Sequence, residues 1–186
     1  MLDSLAELIG LNYEAGRAYT YKNGAYTFSN HDGNANEPEI KYEPTNSSPI
    51  DGFIHTHYDG TLPIFSVSDL LIPYYWNESG GVVNIDSFAL GLVTSQGTYF
   101  LFFDSKKYLP WAKNNISSIA LLEFTYRDLY KINVNTDADT ALESFVRFLN
   151  ANKDCGIQLM KKQGKKHSYK KIYIHESDDS VVGGGC

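Results

Sequence analysis

The chain has 186 residues, of which 42% are hydrophobic, and its formal net charge is -6. This length and apolar content predict one packed domain. The acidic balance argues against a nucleic-acid-binding protein, which normally presents a basic face. No apolar run reaches the length of about 18 residues that a membrane span needs, so we expect no membrane partner.

The first residues lack the basic region of a signal peptide and predict an amphipathic helix instead. Cys155 and Cys186 lack a C-x-x-C spacing, which excludes a cysteine-rich zinc site and argues against a disulfide framework. A cytoplasmic location is therefore the default expectation. A secreted effector, or a terminal module of a larger protein, is the alternative that the module-like ends suggest.

Four predicted elements precede the central motif: a helix, a tyrosine-rich hairpin, a long irregular loop and a short buried strand. They are expected at residues 2–9, 13–29, 30–49 and 50–55. Apolar residues at helical spacing indicate the helix. Asn23-Gly24 between two tyrosine-rich runs is a strong hairpin signal.

Five further elements follow: a helix opening at Ser66 with Pro73 as its kink or stop, an antiparallel strand pair, a mainly helical stretch, an amphipathic helix and a terminal hairpin. They are expected at residues 66–76, 86–103, 106–130, 136–152 and 157–174. Strands mixed with helices predict an α/β or α+β domain. We expect one domain over residues 1–176, with the basic residues 161–171 as a solvated hairpin tip and residues 177–186 as a flexible tail.

The most informative stretch contains His55-Thr-His57, then eight residues, then Ser66-Val-Ser-Asp69. Strand side chains alternate with period two, so both imidazoles point to the same side. Two imidazoles and one carboxylate are a common ligand set for catalytic zinc. His55, His57 and Asp69 are therefore the candidate ligands of one zinc ion, and Ser66 lies one helical turn before Asp69.

These residues resemble the JAMM (MPN-plus) zinc metalloprotease motif of bacterial type, over roughly residues 1–104. The resemblance implies a sheet flanked by helices, similar to cytidine deaminases, and residues 105–176 as a variable helical and hairpin part. It implies hydrolysis of peptide or isopeptide bonds, notably removal of ubiquitin-like proteins, with a protein or peptide as the substrate. It also implies Glu14 as the general base, zinc bound by His55, His57 and Asp69, and Ser66 as the oxyanion stabiliser.

Several alternatives stay open. Glu37, Glu39 and Glu43 in the loop are other candidates for the base, although Glu14 follows a rigid element and is preferred. Ser66-x-x-Asp69 is also a helix capping signal. The three remaining histidines, His31, His167 and His175, are expected at the surface.

Other functions are weighed against the hydrolase. A phosphoesterase also begins with His-x-His and can continue to Asp59-Gly60, but it needs more histidines than follow here. A non-haem iron oxygenase uses another residue order, and a zinc deaminase needs Pro-Cys-x-x-Cys, which is absent. The rival from another class is an MPN-type scaffold domain that has no metal.

Overall fold

The structure is a computed structural model that describes residues 2–35, 37, 40–164, 168–174 and 180–185. The described strands are β1 Ala15–Lys22, β2 Ala25–Asp32, β3 Gly52–Thr56, β4 Ala89–Thr94, β5 Gly97–Phe103, β6 Ile157–Gln163, β7 Ser168–Ile174 and β8 Val181–Gly185. The described helices are α1 Leu2–Ala6, α2 Val67–Glu78, α3 Ser105–Ile116, α4 Ile119–Phe124 and α5 Ala138–Ala151. A π-helical turn, Thr125–Leu129, follows α4, and a 3₁₀ turn, Lys153–Cys155, follows α5.

The described strands form one eight-stranded mixed sheet in the order β2-β1-β3-β4-β5-β6-β7-β8. Among them, β3 and β4 alone pair in parallel, and every other neighbouring pair is antiparallel. A parallel pair requires a crossover connection, and here α2 supplies it. The α/β prediction is confirmed at this level: a mixed sheet flanked by helices.

The two faces of the sheet are covered unequally. Along β3, Phe53 faces the larger core, which it shares with residues of α2, α3 and α5, whereas Ile54 faces a smaller core that contains Leu5 of α1. This alternation is the two-residue period of a strand. Both histidines of the motif therefore lie on the side of the larger core, with α2.

The hairpin prediction is confirmed. Tyr21 pairs with Tyr26 and Lys22 with Ala25 around Asn23-Gly24, whose φ angles of 53° and 81° are both positive, as a type I′ turn requires. Strand β2 runs on to Asp32, three residues past the predicted end of the hairpin. The reason is that Asp32 pairs with Ala15 in the ladder and accepts a bond of 2.6 Å from the Arg17 guanidinium.

Two helices differ from their predictions in length. The first ends at Ala6, because Leu8 and Leu11 donate to carbonyls only three residues back and tighten the chain into turns. The α2 helix continues through Pro73 to Glu78. Pro73 has no N–H, so the hydrogen bond to the Asp69 carbonyl, four residues earlier, is missing. Burial of α2 side chains against the core stabilises the turns that follow.

The downstream predictions of the strand pair, the helices and the terminal hairpin are confirmed by β4–β5, α3–α5 and β6–β7. Strand β4 begins at Ala89, later than expected, since residues 84–88 form turns. Ala141, Phe145, Phe148 and Leu149 are buried on one side of α5, as the predicted amphipathic helix requires.

The tail prediction is wrong for residues 181–185. These residues form β8, which pairs with β7 from Lys170↔Gly185 to Ile174↔Val181. Residues 177–179 and Cys186 lie outside the described residues. The tail was predicted to be flexible because a Gly-rich sequence is typical of a flexible end. Pairing with an open sheet edge uses backbone groups alone, however, so glycine residues can form it.

The part of the chain after residue 104 packs in the same sheet and core as the motif region, residues 1–104. Strand β6 pairs with β5 over Tyr99–Phe103, and the larger core takes side chains from both parts. No described helix is both long enough and apolar enough to cross a membrane.

Gly16 is a position where the fold requires the absence of a side chain. A Cβ there would lie 2.5 Å from Cζ of Phe53 and 2.9 Å from the His31 carbonyl oxygen. We expect Gly16→Ala to lower the free energy of unfolding by about 1–3 kcal/mol, because a buried ring and a backbone carbonyl must both move. Urea unfolding measures this effect. Gly10→Ala, where a Cβ meets nothing within 4 Å, is the matched control, and equal values for the two variants would contradict the account.

Candidate metal centre

Strand β3 delivers the two histidines at its carboxyl end. His55 and His57 are 4% and 5% exposed, and Thr56 between them faces the opposite side. The His57 backbone N–H donates to the Val93 carbonyl at 3.0 Å, which extends the parallel pairing with β4 beyond the strand. The rings therefore stand side by side, with centroids 5.1 Å apart, at the end of a sheet where open α/β proteins bind ligands.

The register of β1 on β3 delivers Glu14. Gly16 pairs with His55 in an antiparallel ladder, so continuing the same register by two pairs places Glu14 opposite His57. The Ala15 N–H donates to Thr56 Oγ1 at 2.9 Å, and the Gly33 N–H donates to the Glu14 carbonyl at 2.7 Å. The Glu14 backbone is thus fixed from both sides, and its Oε1 lies 3.5 Å from Nε2 of His57.

The first turn of α2 delivers Asp69. Ser66 is the N-cap: its Oγ accepts from the Asp69 N–H at 3.1 Å, while the Ser66 N–H donates to Asp69 Oδ2 at 2.6 Å. This reciprocal pair is a capping box, in which two otherwise unpaired helix N–H groups are satisfied. The Ser66 hydroxyl also donates to Asp69 Oδ2 at 2.8 Å. Asp69 is therefore held rigidly at the edge of the site.

Asp69 contacts both histidines from this position. Its Oδ1 lies 3.1 Å from His55 Nε2, and its Oδ2 lies 3.5 Å from His57 Nε2. Two carboxylates, Glu14 and Asp69, thus approach the same pair of imidazoles. The four side chains come from the start of β1, the end of β3 and the first turn of α2, and Glu14 is the one that is distant in sequence from the others.

The donor chemistry fits a metal ion. One donor atom each of Glu14, His55 and His57 lies within 4.8 Å of the other two, and all three residues are buried. His57 Nδ1 lies 2.8 Å from the Leu62 carbonyl, which can only accept, so Nδ1 carries the hydrogen and Nε2 presents a lone pair. Within the described residues, neither ring nitrogen of buried His55 has a hydrogen-bond partner of good geometry. This group can hold one metal ion.

Charges in the site shift two pKa values in opposite directions. Burial alone would lower the pKa of His55, but the negative charges of Asp69 and Glu14 outweigh it and raise the pKa above its usual value. Burial alone would raise the pKa of Asp69, but the His55 and His57 rings outweigh it and hold the pKa well below its usual range. The site therefore favours a cation between its carboxylates.

Two tyrosines from the second half of the chain hold the start of α2 in place. Tyr126 donates its hydroxyl hydrogen to the Phe65 carbonyl, directly before Ser66. Tyr108 donates to the Leu70 carbonyl, directly after Asp69, at 3.0 Å. Both tyrosines are buried, so residues after 104 help to position a ligand candidate that lies far earlier in the sequence.

A cleft of about 460 Å³ opens onto the four side chains. Its apolar wall comes from a stack of rings: Tyr42 lies 3.7 Å from His31 and 5.3 Å from Phe53 between centroids, and Phe53 lies 6.0 Å from His55. Trp76 of α2 packs edge-on against Phe53. The irregular loop before β3 is thereby pinned against the site, and its Tyr42 becomes part of the wall.

The structure brings all five predicted site residues together: Glu14, His55, His57, Ser66 and Asp69 line this cleft. The other base candidates do not join them. Glu37 pairs with Lys41 at 3.1 Å, and Glu43 is exposed and lines a different cavity. Glu39 lies outside the described residues.

Several residues that shape the candidate metal centre were not predicted, or were predicted elsewhere. His31 is half-buried and stacks on Tyr42, where a surface position was expected; His167 and His175 lie outside the described residues. The roles of Tyr126 and Tyr108 could not be predicted from the sequence, because their hydrogen-bond partners are distant along the chain. The role of the Leu62 carbonyl could not be predicted either, because it depends on the conformation of the turn after β3.

Comparison with known proteins identified no relative of this chain. No protein-family model, curated protein or solved structure matches the chain.

Replacing the Ser66 side chain tests the capping box. We expect Ser66→Ala to lower the free energy of unfolding by about 1 kcal/mol, because the N–H of Asp69 loses its acceptor. The matched control is Ser118→Ala: Ser118 occupies the same cap position of α4, but its side chain makes no capping bond. Thermal unfolding of both variants measures the difference, and an equal loss in both would contradict the role of Ser66.

The ion pair of His55 and Asp69 predicts a pH dependence for the metal-free protein in chelator. Because the folded pKa of His55 is raised, its contribution is complete below the ordinary pKa of 6.5 and is lost as the pH rises through the raised value. Because the folded pKa of Asp69 is lowered, its contribution is complete above the ordinary pKa of 3.8 and is lost as the pH falls through the lowered value.

Urea unfolding between these limits and beyond them measures the effect. Asp69→Asn removes the charge with nearly the same shape, so we expect its stability profile to be flatter than that of the wild type on both sides. Superimposable profiles would show that the pair has no such linkage.

Proposed function

We propose that the protein is a zinc-dependent hydrolase of the JAMM type that cleaves peptide or isopeptide bonds. One observation carries the proposal: two buried histidines and two carboxylates converge at an open cleft. The Glu14–His55–His57 group can hold one metal ion, and a cleft of about 460 Å³ gives access to it. The parallel β3–α2–β4 unit in a mixed sheet is also consistent with the resemblance to that family.

In the proposed site, His55 Nε2, His57 Nε2 and an Asp69 carboxylate oxygen hold the zinc. Ligand side chains are normally oriented by hydrogen bonds to their remaining atoms. His57 has such a bond to the Leu62 carbonyl, and Asp69 has two from Ser66. Zinc supplies Lewis acidity there, because it lowers the pKa of a coordinated water to about 7 and polarises a carbonyl group.

Glu14 is the proposed general base. It is buried, its backbone is fixed by Ala15 and Gly33, and its carboxylate oxygen lies 3.5 Å from a ligand nitrogen of His57. A carboxylate in this place takes a proton from the attacking water and passes it to the leaving nitrogen of the amide. Hydrolysis of a peptide bond requires both transfers, and one side chain carries them in sequence.

Ser66 is the proposed donor to the oxyanion of the reacting carbonyl. Its single hydroxyl hydrogen is donated to Asp69 Oδ2, so the hydroxyl must rotate before it serves a substrate. The bond from the Ser66 N–H to the same oxygen does not depend on that rotation. Asp69 therefore stays oriented while the hydroxyl changes partner.

The two carboxylates allow a second division of roles, because Glu14 also belongs to the group of three donor atoms. In that arrangement Glu14 binds the metal and Asp69 orients the histidines. Asp69 is preferred as the ligand, since Ser66 fixes its geometry. The difference is open to direct test by substitution.

Two variants, compared with the wild type, test the proposal. We expect the wild type to bind one zinc ion, His57→Ala to lose both zinc and turnover, and Glu14→Gln to keep zinc while turnover falls by about 10²–10⁴-fold, the usual worth of a general base. Zinc is measured by titration against a chromophoric chelator. Turnover is measured on a quenched peptide library and on isopeptide-linked ubiquitin-like conjugates.

Glu37→Gln is the matched control, because Glu37 is a loop carboxylate that pairs with Lys41 away from the cleft. It should keep both zinc and turnover. Loss of zinc in Glu14→Gln would make Glu14 a ligand, and full activity in that variant would show that the base is another group. A wild type that binds no zinc would contradict the enzyme and favour a scaffold domain.

A further inference from the structure

A second cleft, of about 540 Å³, lies on the opposite face of the sheet from the metal centre. Its floor is formed by Ala89, Phe100 and Phe102 of β4 and β5, which point away from His55. Helix α1 covers only part of this face, where Leu5 packs near Ile54. The remaining surface is bordered on one side by the β1–β2 hairpin.

The wall on the hairpin side is built from tyrosines. Tyr21 and Tyr26 are directly paired across the strands, with ring centroids 4.9 Å apart, and Tyr19 lies 5.9 Å from Tyr26 in an edge-to-face arrangement. Tyr21 is 53% exposed and Tyr26 is 59% exposed. Tyr19 lies across Gly52, where an added Cβ would come within 2.1 Å of its hydroxyl oxygen. The absence of a side chain at Gly52 thus gives this ring its place.

One carboxylate joins the rings. Asp51 lines the same cleft, and its Oδ2 accepts a hydrogen bond of 2.6 Å from the Tyr21 backbone N–H, which fixes the carboxylate beside the tyrosines. Among the described residues that line the cleft, there is no lysine, arginine or histidine. The lining therefore presents electron-rich ring faces, hydroxyl oxygens and one negative charge.

We propose that this cleft binds an organic cation, namely the lysine or arginine side chain of a peptide or protein partner. Aromatic faces attract an ammonium or guanidinium group through their quadrupole, and several rings around one cation add to the effect. Asp51 adds a charge of opposite sign. The floor of Phe100 and Phe102 accepts the methylene stem of such a side chain. The site is independent of the metal centre and of the reaction proposed for it.

The test uses the full chain and small probes, followed by chemical-shift changes of backbone amides in β1 and β2. N-acetyl-lysine methylamide and N-acetyl-arginine methylamide are the cationic probes, and N-acetyl-norleucine methylamide is the neutral one of similar shape. We expect millimolar binding of both cationic probes, and binding of the neutral probe about two- to fivefold weaker, the factor that one exposed cation–π contact supplies.

Variants locate the site. Tyr26→Leu and Asp51→Asn should each weaken lysine-probe binding by about threefold or more. Asparagine still has an oxygen that accepts from the Tyr21 N–H, so only the charge is lost. Phe124→Leu is the matched control: Phe124 of α4 is an exposed aromatic residue, 48% exposed, that does not line the cleft. Circular dichroism checks that each variant is folded.

Four results would overturn the proposal. Equal binding of the neutral and cationic probes would show an apolar groove. Binding of maltose in place of the cationic probes would show a carbohydrate site, and binding of no probe would exclude a cation site. An equal effect of Phe124→Leu and Tyr26→Leu would place the binding elsewhere.

Discussion

The antiparallel pairing of β1 with β3 is the constraint on which the candidate metal centre depends. The pairing of Gly16 with His55 sets the register that brings Glu14 opposite His57. A slip of one residue would turn Glu14 to the other face of the sheet, because strand side chains alternate. Gly16 permits the close approach of Phe53 and the His31 carbonyl. The hairpin thus positions a carboxylate beside histidines that lie about forty residues further along the chain.

The other carboxylate depends on a second constraint, the fixed start of α2. Ser66 and Asp69 bind each other, and the carbonyls on either side of them accept from Tyr126 and Tyr108. Local capping sets the geometry of the turn, and long-range bonds set its place relative to β3. A site that is held by both is rigid enough for the metal chemistry proposed here. The second half of the chain thus contributes both to this position and to the larger core that it shares with the first half.

The sequence predicted the parts of the site that have local periodicity. His-x-His on a strand and Ser-x-x-Asp at a helix start follow from strand alternation and helix capping, and both appear in the structure. Glu14 was placed only by resemblance, because the register that brings it to His57 is a long-range property. The hydrogen bonds from Tyr108 and Tyr126 to the start of α2, and the ring stack through Tyr42, were not predictable, since neither has a local sequence pattern. The strand β8 was missed because glycine gives no strand signal, although an open sheet edge can pair with it.

The proposed function requires one metal ion between His55 and His57, with a carboxylate beside them. Anomalous diffraction at the zinc absorption edge, from crystals grown with zinc, tests it most directly. We expect one strong peak at about 2.0–2.2 Å from Nε2 of both histidines and from one carboxylate oxygen of Asp69 or Glu14. A peak on other residues, with no density between these two rings, would contradict it.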